Sequence, residues 1–534
     1  MFKKSIHLFS IGMLLLGCRS TDQDNILSGS GVAPVKINLL GTEYANSNKP
    51  AQVASINNKG LNVDNNVQRY SVLLSPSSFI TAELTPNRSL SPVASSKNLN
   101  TVAAVAGDQL GAGMKFRVIA YRKDNGNYQT YQDYTVGQQA APLMLDGGIV
   151  YDIVVYSYGV NALPTISANE QININSATVN YDDENPDLMY QKVSYTPDGN
   201  KPNNILNVTL RHKVAQITAI VNSGSLGNIT NISGGLIAPH YRNGIFSLSS
   251  GIMSGRTNMT SGEILSYWAS EFPGTTVTAE PIFLNSDTNG NLAGGFSAEI
   301  SIAGINKTIS LPNSFKITPE YKSNLTINLM KCGAYIGPNN DPANYKEFMC
   351  QNLGATEGIN PFSPEAGNHG AKYQWGASAN ESGRYYSQAD DQSNSGNIIG
   401  WSSIPKPVGS WSDTNKTAND PCPPGYRVPT SIQWQAVINN NNVERVGSWA
   451  DDNTNYSSVL YFRSPSNIRT LMLPAAGYRS YAVGKIINRG TFGYYWSSSS
   501  VAISNANILI FDSSDMRIFE NNRTLGYSVR CIAE

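Results

Sequence analysis

Four of the five cysteines of this 534-residue chain, Cys332, Cys350, Cys422 and Cys531, lie beyond residue 331. Six of the seven tryptophans (Trp375, Trp401, Trp411, Trp434, Trp449 and Trp496) share that stretch, and only Trp268 falls outside it. A chain this uneven is built from parts with different cores, and the composition changes near Met330. At this length a single core is not expected, and about three domains are. Four cysteines allow two disulfides in three connectivities if the segment is exported.

The N-terminus supplies the compartment. Lys3 and Lys4 precede an apolar stretch over residues 6–16 that ends in Leu15-Leu16-Gly17-Cys18. This is the layout of a secretory signal, too short for a spanning helix of about 20 residues. The cysteine at the cleavage point resembles a bacterial lipobox, which implies diacylation of Cys18 and anchoring in the outer membrane. Loss of residues 1–17 removes two lysines and takes the formal charge from +0 to −2. No basic face is present for nucleic acid, so no such partner is expected. Charged residues are 14% of the chain, against about 25% in ordinary globular proteins. Asn, Ser, Thr, 46 Gly and 27 Pro replace them, a mixture that favours strands joined by many turns.

Short alternating strands are expected through residues 35–330. Met114, Phe116, Val118 and Ala120 point one way, and Lys115, Arg117 and Tyr121 the other, with Ile119 an apolar exception. Residues 128–136 begin the next strand. Residues 151–158 are apolar on both faces and are expected to be central. Residues 208–221 alternate again, and 276–284 are expected to pair with 296–303 across Asn289-Gly290. No amphipathic helix is expected here, and the strand spacing predicts sandwiches. Residues 161–203 read as a linker, with 182–187 as a solvated acidic loop rather than a calcium loop.

Three features resemble the fimbrillin family of lipoprotein pilins: MKFRVIAY at 114–121, RHKVAQI at 211–217 and the closing strand at 321–330. The resemblance implies two tandem transthyretin-like β-sandwiches and strand exchange outside the cell. Such assembly needs proteolysis after an early basic residue, and Lys59 and Arg69 are the candidates.

Beyond them run FMCQNLG (348–354), YQWG (373–376), CPPGYRVPT (422–430), LPAAGYR (473–479), GYYWSS (493–498) and GYSVRC (526–531), with a helix expected at 432–438. This series closely resembles the FISUMP (Fibrobacter major paralogous) domain and implies an α+β, C-type-lectin-like fold. With that fold we expect Cys332 to pair with Cys350 and Cys422 with Cys531, each closure contributing about 3–5 kcal/mol in a loop-entropy model. The whole is thus mainly β: signal 1–17, tether 18–34, sandwiches 35–180 and 181–330, and the FISUMP domain 331–534.

The aromatic motifs read either as core, the commoner case, or as a sugar platform, for which Tyr478, Arg479, Tyr495 and Trp496 are the candidates. The tripeptides of calcium-dependent lectins are absent from this segment. No metal, cofactor or catalysis is expected, because His7, His212, His240 and His369 form no two-histidine motif and no nucleophile elbow or P-loop occurs. His212 is expected to be structural and His369 exposed. The expected role is adhesion, as an accessory or tip-like fimbrial subunit at the outer membrane or cell surface. Its expected partners are other subunits, or a host or biofilm protein or glycan. The alternative is a free-standing glycan-capture lipoprotein.

Overall fold

The computed structural model describes residues 31–46, 67–87, 108–465 and 467–534. Cys18 and Lys59 lie outside these residues, as do the signal segment and most of the tether. The chain is mainly β, with its longest described helix only ten residues. No helix among the described residues is long and apolar enough to cross a membrane.

The first sheet has seven strands in the order Tyr128–Thr135, Lys115–Arg122, Tyr151–Ser157, Met189–Tyr195, Asn204–His212, Val32–Glu43 and Leu143–Asp146. Alternation in Lys115–Arg122 sends Phe116, Val118 and Ala120 into one core and Ile119 and Tyr121 into another. Both faces of this strand are therefore covered, and the same holds for Tyr151–Ser157, which sits between two neighbours. Val32–Glu43 runs parallel to Asn204–His212, from Val35 opposite Asn204 to Glu43 opposite Arg211. The second face is closed by a three-stranded sheet of Met253–Thr260, His240–Ser247 and Thr178–Asn180, which brings in Val179, Phe246, Leu248 and Met253.

The second sandwich faces two sheets across a core of Ile, Val, Leu and Phe side chains. One contains Ala215–Asn222 beside Lys322–Lys331, in parallel, followed by Ser78–Pro86 and Gln68–Ser75. The other runs Glu263–Ile264, Ile229–Ala238, Gly294–Ile302 and Ile305–Phe315.

These pairings correct three expectations. The boundary at 180/181 does not divide the sheets, because the hairpin of residues 68–86 joins the second sandwich while residues 189–212 belong to the first sheet. Residues 161–203 are no linker, since they contain Thr178–Asn180 and Met189–Tyr195. Thr276–Thr278 and Ile282–Leu284 pair with Ala215–Asn222, not with Gly294–Ile302. Period-2 alternation reports which residues face a core, but not which distant strand lies alongside. The stretch 208–221 illustrates the point: it changes sheet at Lys213-Val214, where Lys213 pairs with Glu320.

The acidic run is likewise more than a solvated loop. Asp183 Oδ1 lies 2.7 Å from His240 Nε2, and Asp187 Oδ1 lies 2.5 Å from His212 Nδ1. His212 also stacks on Tyr44 at 4.0 Å. One loop thus grips two histidines on strands of two different sheets.

After Lys331 the chain forms short strands and long loops around two cores, one holding Trp375, Trp411 and Trp496 and the other Trp434. Residues 432–438 lie in the helix Ser431–Asn440, whose N-terminus carries a capping box between Thr430 and Gln433, worth about 1 kcal/mol. Cys332 bonds Cys350, and Cys422 bonds Cys531 across 109 residues of sequence. The latter closure lies next to the pairing of Tyr426–Arg427 with Ile532–Ala533, so the chain end is held to the domain's middle.

This domain is not loosely tethered. The turn between the strands of the 68–86 hairpin docks onto it: Cys332 N donates to Ser77 O at 2.8 Å and Cys350 N to Pro76 O at 2.7 Å. Phe79 is buried against the Cys332–Cys350 bond and Phe362.

Candidate functional site

The sequence candidates for a sugar platform do not form one. Arg479, Tyr495 and Trp496 have no exposed surface, and only Tyr478 is half-buried, edge-on to Tyr494 and Tyr527. Trp496 Nε1 donates to Tyr373 O at 2.7 Å, and Tyr495 Oη donates to Pro474 O at 2.9 Å. Rings whose polar atoms are already bonded inside a core cannot stack on a ligand. Their motifs encode packing, the commoner of the two readings.

Arg479 acts instead as a brace. Gly477 precedes it at φ 62°, where a Cβ would stand 2.5 Å from Ile487 O. Only glycine fits that turn without strain. Arg479 Nε then meets Asp391 Oδ1 at 2.7 Å, while its other nitrogens donate to the carbonyls of Asp391, Asn394 and Gly484. Arg489 joins from the neighbouring strand, 2.6 Å from Asp391 Oδ2, and also donates to Asn453 O. Lys372 Nζ stands 3.5 Å from the same carboxylate, and all four side chains are buried.

The electrostatics follow from this crowding. Burial raises the Asp391 carboxyl, but Lys372, Arg479 and Arg489 outweigh it and hold the group below its ordinary value. Burial, helped by Arg489 and Arg479 and opposed by Asp391, lowers the Lys372 ammonium to about 8. His369, expected to be exposed, is buried with its ring edge-on to Tyr456 at 4.9 Å. Burial, then Lys372 and Arg489, lowers it to about 3, so it is neutral at physiological pH. A Gly/Asn-rich neighbourhood suggests a surface loop, but here the loop folds inward over the cluster.

Two further buried arginines fix loops in the same manner. Arg523 lies over the Trp375 ring at 5.0 Å and donates to Lys406 O and Ala502 O, each at 3.0 Å. Arg530 binds Asn352 and the carbonyls of Cys350 and Met472. A guanidinium carries five donors in a rigid fork, so one side chain can fasten several carbonyls that no sheet satisfies.

The loops so held carry large aliphatic groups in water. Ile399 is fully exposed, Ile503 is 86% exposed and Ile404 is 70% exposed, and Val408, Tyr481 and Val483 are exposed as well. The loops adjoin: Ile398 N donates to Val483 O at 2.7 Å, Arg384 Nη1 to Ile404 O at 2.6 Å, and Arg523 bridges residues 406 and 502. Exposed apolar groups on fixed loops, rimmed by Asn and Ser, are a feature that recognition surfaces share. Sequence reading missed this face. Its only local signal was isolated Ile and Val residues inside Asn/Ser/Gly-rich loops. No group of His, Cys, Asp and Glu suited to a metal occurs among the described residues.

No family model matches the chain, and no curated protein does. Among solved structures, it is similar to a candidate cell adhesion protein of Bacteroides uniformis, at 12% identity and TM-score 0.29, over 41% of this chain and 92% of that one. A fimbrial assembly protein of Parabacteroides distasonis gives 12% identity and TM-score 0.27, over 41% and 88%. A candidate cell adhesion protein of Bacteroides fragilis gives 12% identity and TM-score 0.29, over 55% and 92%. Similarity at this level assigns no residue a role.

Proposed function

We propose that this chain is an adhesion subunit of fimbrillin type, exported, acylated at Cys18 and displayed at the cell surface. In this reading two transthyretin-like sandwiches carry a C-type-lectin-like FISUMP domain that recognises a partner without catalysis. The observation that carries the proposal is the loop face around Ile399, Ile404 and Ile503, held by buried arginines. Apolar groups on preorganised loops bind at lower entropic cost than mobile ones. The face is separate in sequence from Phe362 and Tyr426, which dock the domain onto the sandwich.

The fimbrial part of the reading rests on the N-terminal strand and Arg69. Arg69 lies in Gln68–Ser75, an edge strand, with its side chain half exposed beside Glu83. A cut there would free Val32–Glu43 while leaving residues 70–86 paired in the second sandwich and docked to the last domain. The opened position between Asn204–His212 and Leu143–Asp146 could then receive a strand from another subunit.

Two experiments test these parts separately. The intact protein on an array of host-matrix and biofilm proteins is expected to bind, and Ile399→Ser/Ile404→Ser/Ile503→Ser to lose that binding with unchanged melting. Binding that survives in the variant removes the loop face from the proposal. Protein recovered from cells is expected to begin at Tyr70 and to run as ladders on gels. Acylated, monomeric protein would instead favour the free-standing capture lipoprotein.

A further inference from the structure

Away from the loop face, a groove of about 980 Å³ opens on the first sheet's second side. One wall is the strap of residues 164–182, and the other is the hairpin of His240–Ser247 and Met253–Thr260. The strap is fixed from beneath. Glu170 accepts from Tyr156 Oη at 2.7 Å and from Ser167 N and Oγ, both at 2.8 Å. Tyr158 Oη donates to Asn180 O at 2.6 Å, and Asn169 Nδ2 to Thr178 Oγ1 at 2.9 Å. Arg117, buried behind the floor, donates to Pro164 O and is paired with Asp133.

The groove is thus preformed, and its upper walls keep unused hydrogen-bonding capacity. The side chains of Thr165, Asn180 and Thr257 line it, stand exposed and make no hydrogen bond to other described residues. Ile245, 46% exposed, adds an apolar ledge. Among the described residues no lysine or arginine lines the groove, and its charged groups are the carboxylates of Glu170 and Asp182. Such a lining offers no cation to phosphate, sulfate or uronate groups, and Glu170 is itself 3.9 Å from the buried Arg117. It offers amide and hydroxyl groups, with some apolar surface, to a ligand rich in neutral hydroxyls.

We propose that this groove, between the 164–182 strap and the 240–260 hairpin, binds a neutral oligosaccharide. The inference is independent of the loop face. It gives the protein a second recognition site, on its sandwich half.

The test uses the intact protein and a panel of neutral linear hexasaccharides (gluco-, manno-, galacto- and N-acetylglucosamine series), read by saturation-transfer NMR and calorimetry. At least one member is expected to bind. Thr257→Trp, which fills the groove from an exposed strand position, is expected to weaken it at least tenfold, and Asn180→Ala several-fold. The Ile399/Ile404/Ile503 serine variant is expected to bind the sugar unchanged, which separates this site from the loop face. Should Thr257→Trp fail to fold, Asn180→Ala and Thr165→Ala decide. The proposal is overturned if no neutral hexasaccharide binds at millimolar concentration. Binding that ignores these substitutions, preference for a sulfated or uronate series, or binding of peptides instead would also overturn it.

Discussion

Tyr426 Oη donates a hydrogen bond to Ser77 Oγ at 2.8 Å across 349 residues of sequence. Ser77 in turn donates to Glu347, which pairs with Lys331 at 2.8 Å. A turn near the start of the chain is therefore part of the seat on which the cysteine-bearing domain rests. Phe79 fills that seat beside Phe362 at 5.3 Å.

Phe79→Ala is expected to cost about 3–5 kcal/mol, because the surrounding disulfide and backbone cannot collapse into the cavity. Calorimetry of the wild type should show coupled melting of the second sandwich and the last domain. The variant should show two separate transitions. A single transition with unchanged midpoint would mean that the seat does not couple them.

Asp391→Asn is expected to destabilise the last domain by about 3–5 kcal/mol, since Arg479, Arg489 and Lys372 would remain buried without their counter-charge. The reference is Ser514→Ala at an exposed turn, expected to stay within about 0.5 kcal/mol. Urea denaturation of the two variants gives the comparison. Equal midpoints would show that the cluster is not needed for stability.

Acid should weaken the protein well before ordinary carboxylates titrate. The unfolded His369 takes a proton near 6.5, but the folded one not until about 3. The unfolded state thus binds more protons across this interval, and stability falls as pH drops from 6.5 toward 3, by up to about 1.4 kcal/mol per pH unit. Asp391, held below its ordinary value, adds a loss of the same sign at lower pH. Lys372, at about 8 instead of 10.5, makes stability rise again from pH 8 to 10.5. Urea midpoints from pH 4 to 10 should trace this curve, and His369→Phe should flatten the limb between pH 4 and 6.5. A limb unchanged in that variant would assign it to other groups.

Reduction should act unequally on the two disulfides. Cys422–Cys531 closes a far longer loop than Cys332–Cys350, with separations of 109 and 18 residues. The loop-entropy model gives about 4–5 kcal/mol for the first and about 3 kcal/mol for the second. Paired Cys→Ala variants, compared by melting temperature, check the order, and a larger drop for the Cys332/Cys350 pair would reverse it.

Much of the local structure can be read directly from residues. The helix expected at 432–438 lies within Ser431–Asn440, and the run at 151–158, apolar on both faces, is a strand covered on both sides. The partner of each strand cannot be read in this way, as the hairpin of residues 68–86 shows by joining Lys322–Lys331. Nor could the site: the motifs holding Arg479 and Trp496 fit either a core or a sugar platform, and only packing shows both residues wholly inside.

The sequence by itself determined a β-rich chain in two compositional parts, because turn residues and apolar alternation act over a few neighbours. It also placed four cysteines in the second part; their spacing alone left three pairings open, and the one expected from the resemblance is the one formed. Tertiary structure decided the rest: which strands share a sheet, that Ser77 meets Tyr426, and that Asp391 gathers three cations while Ile399 stays in water. These are contacts between residues far apart in sequence. Their energies depend on burial and exact distance, which no local pattern encodes.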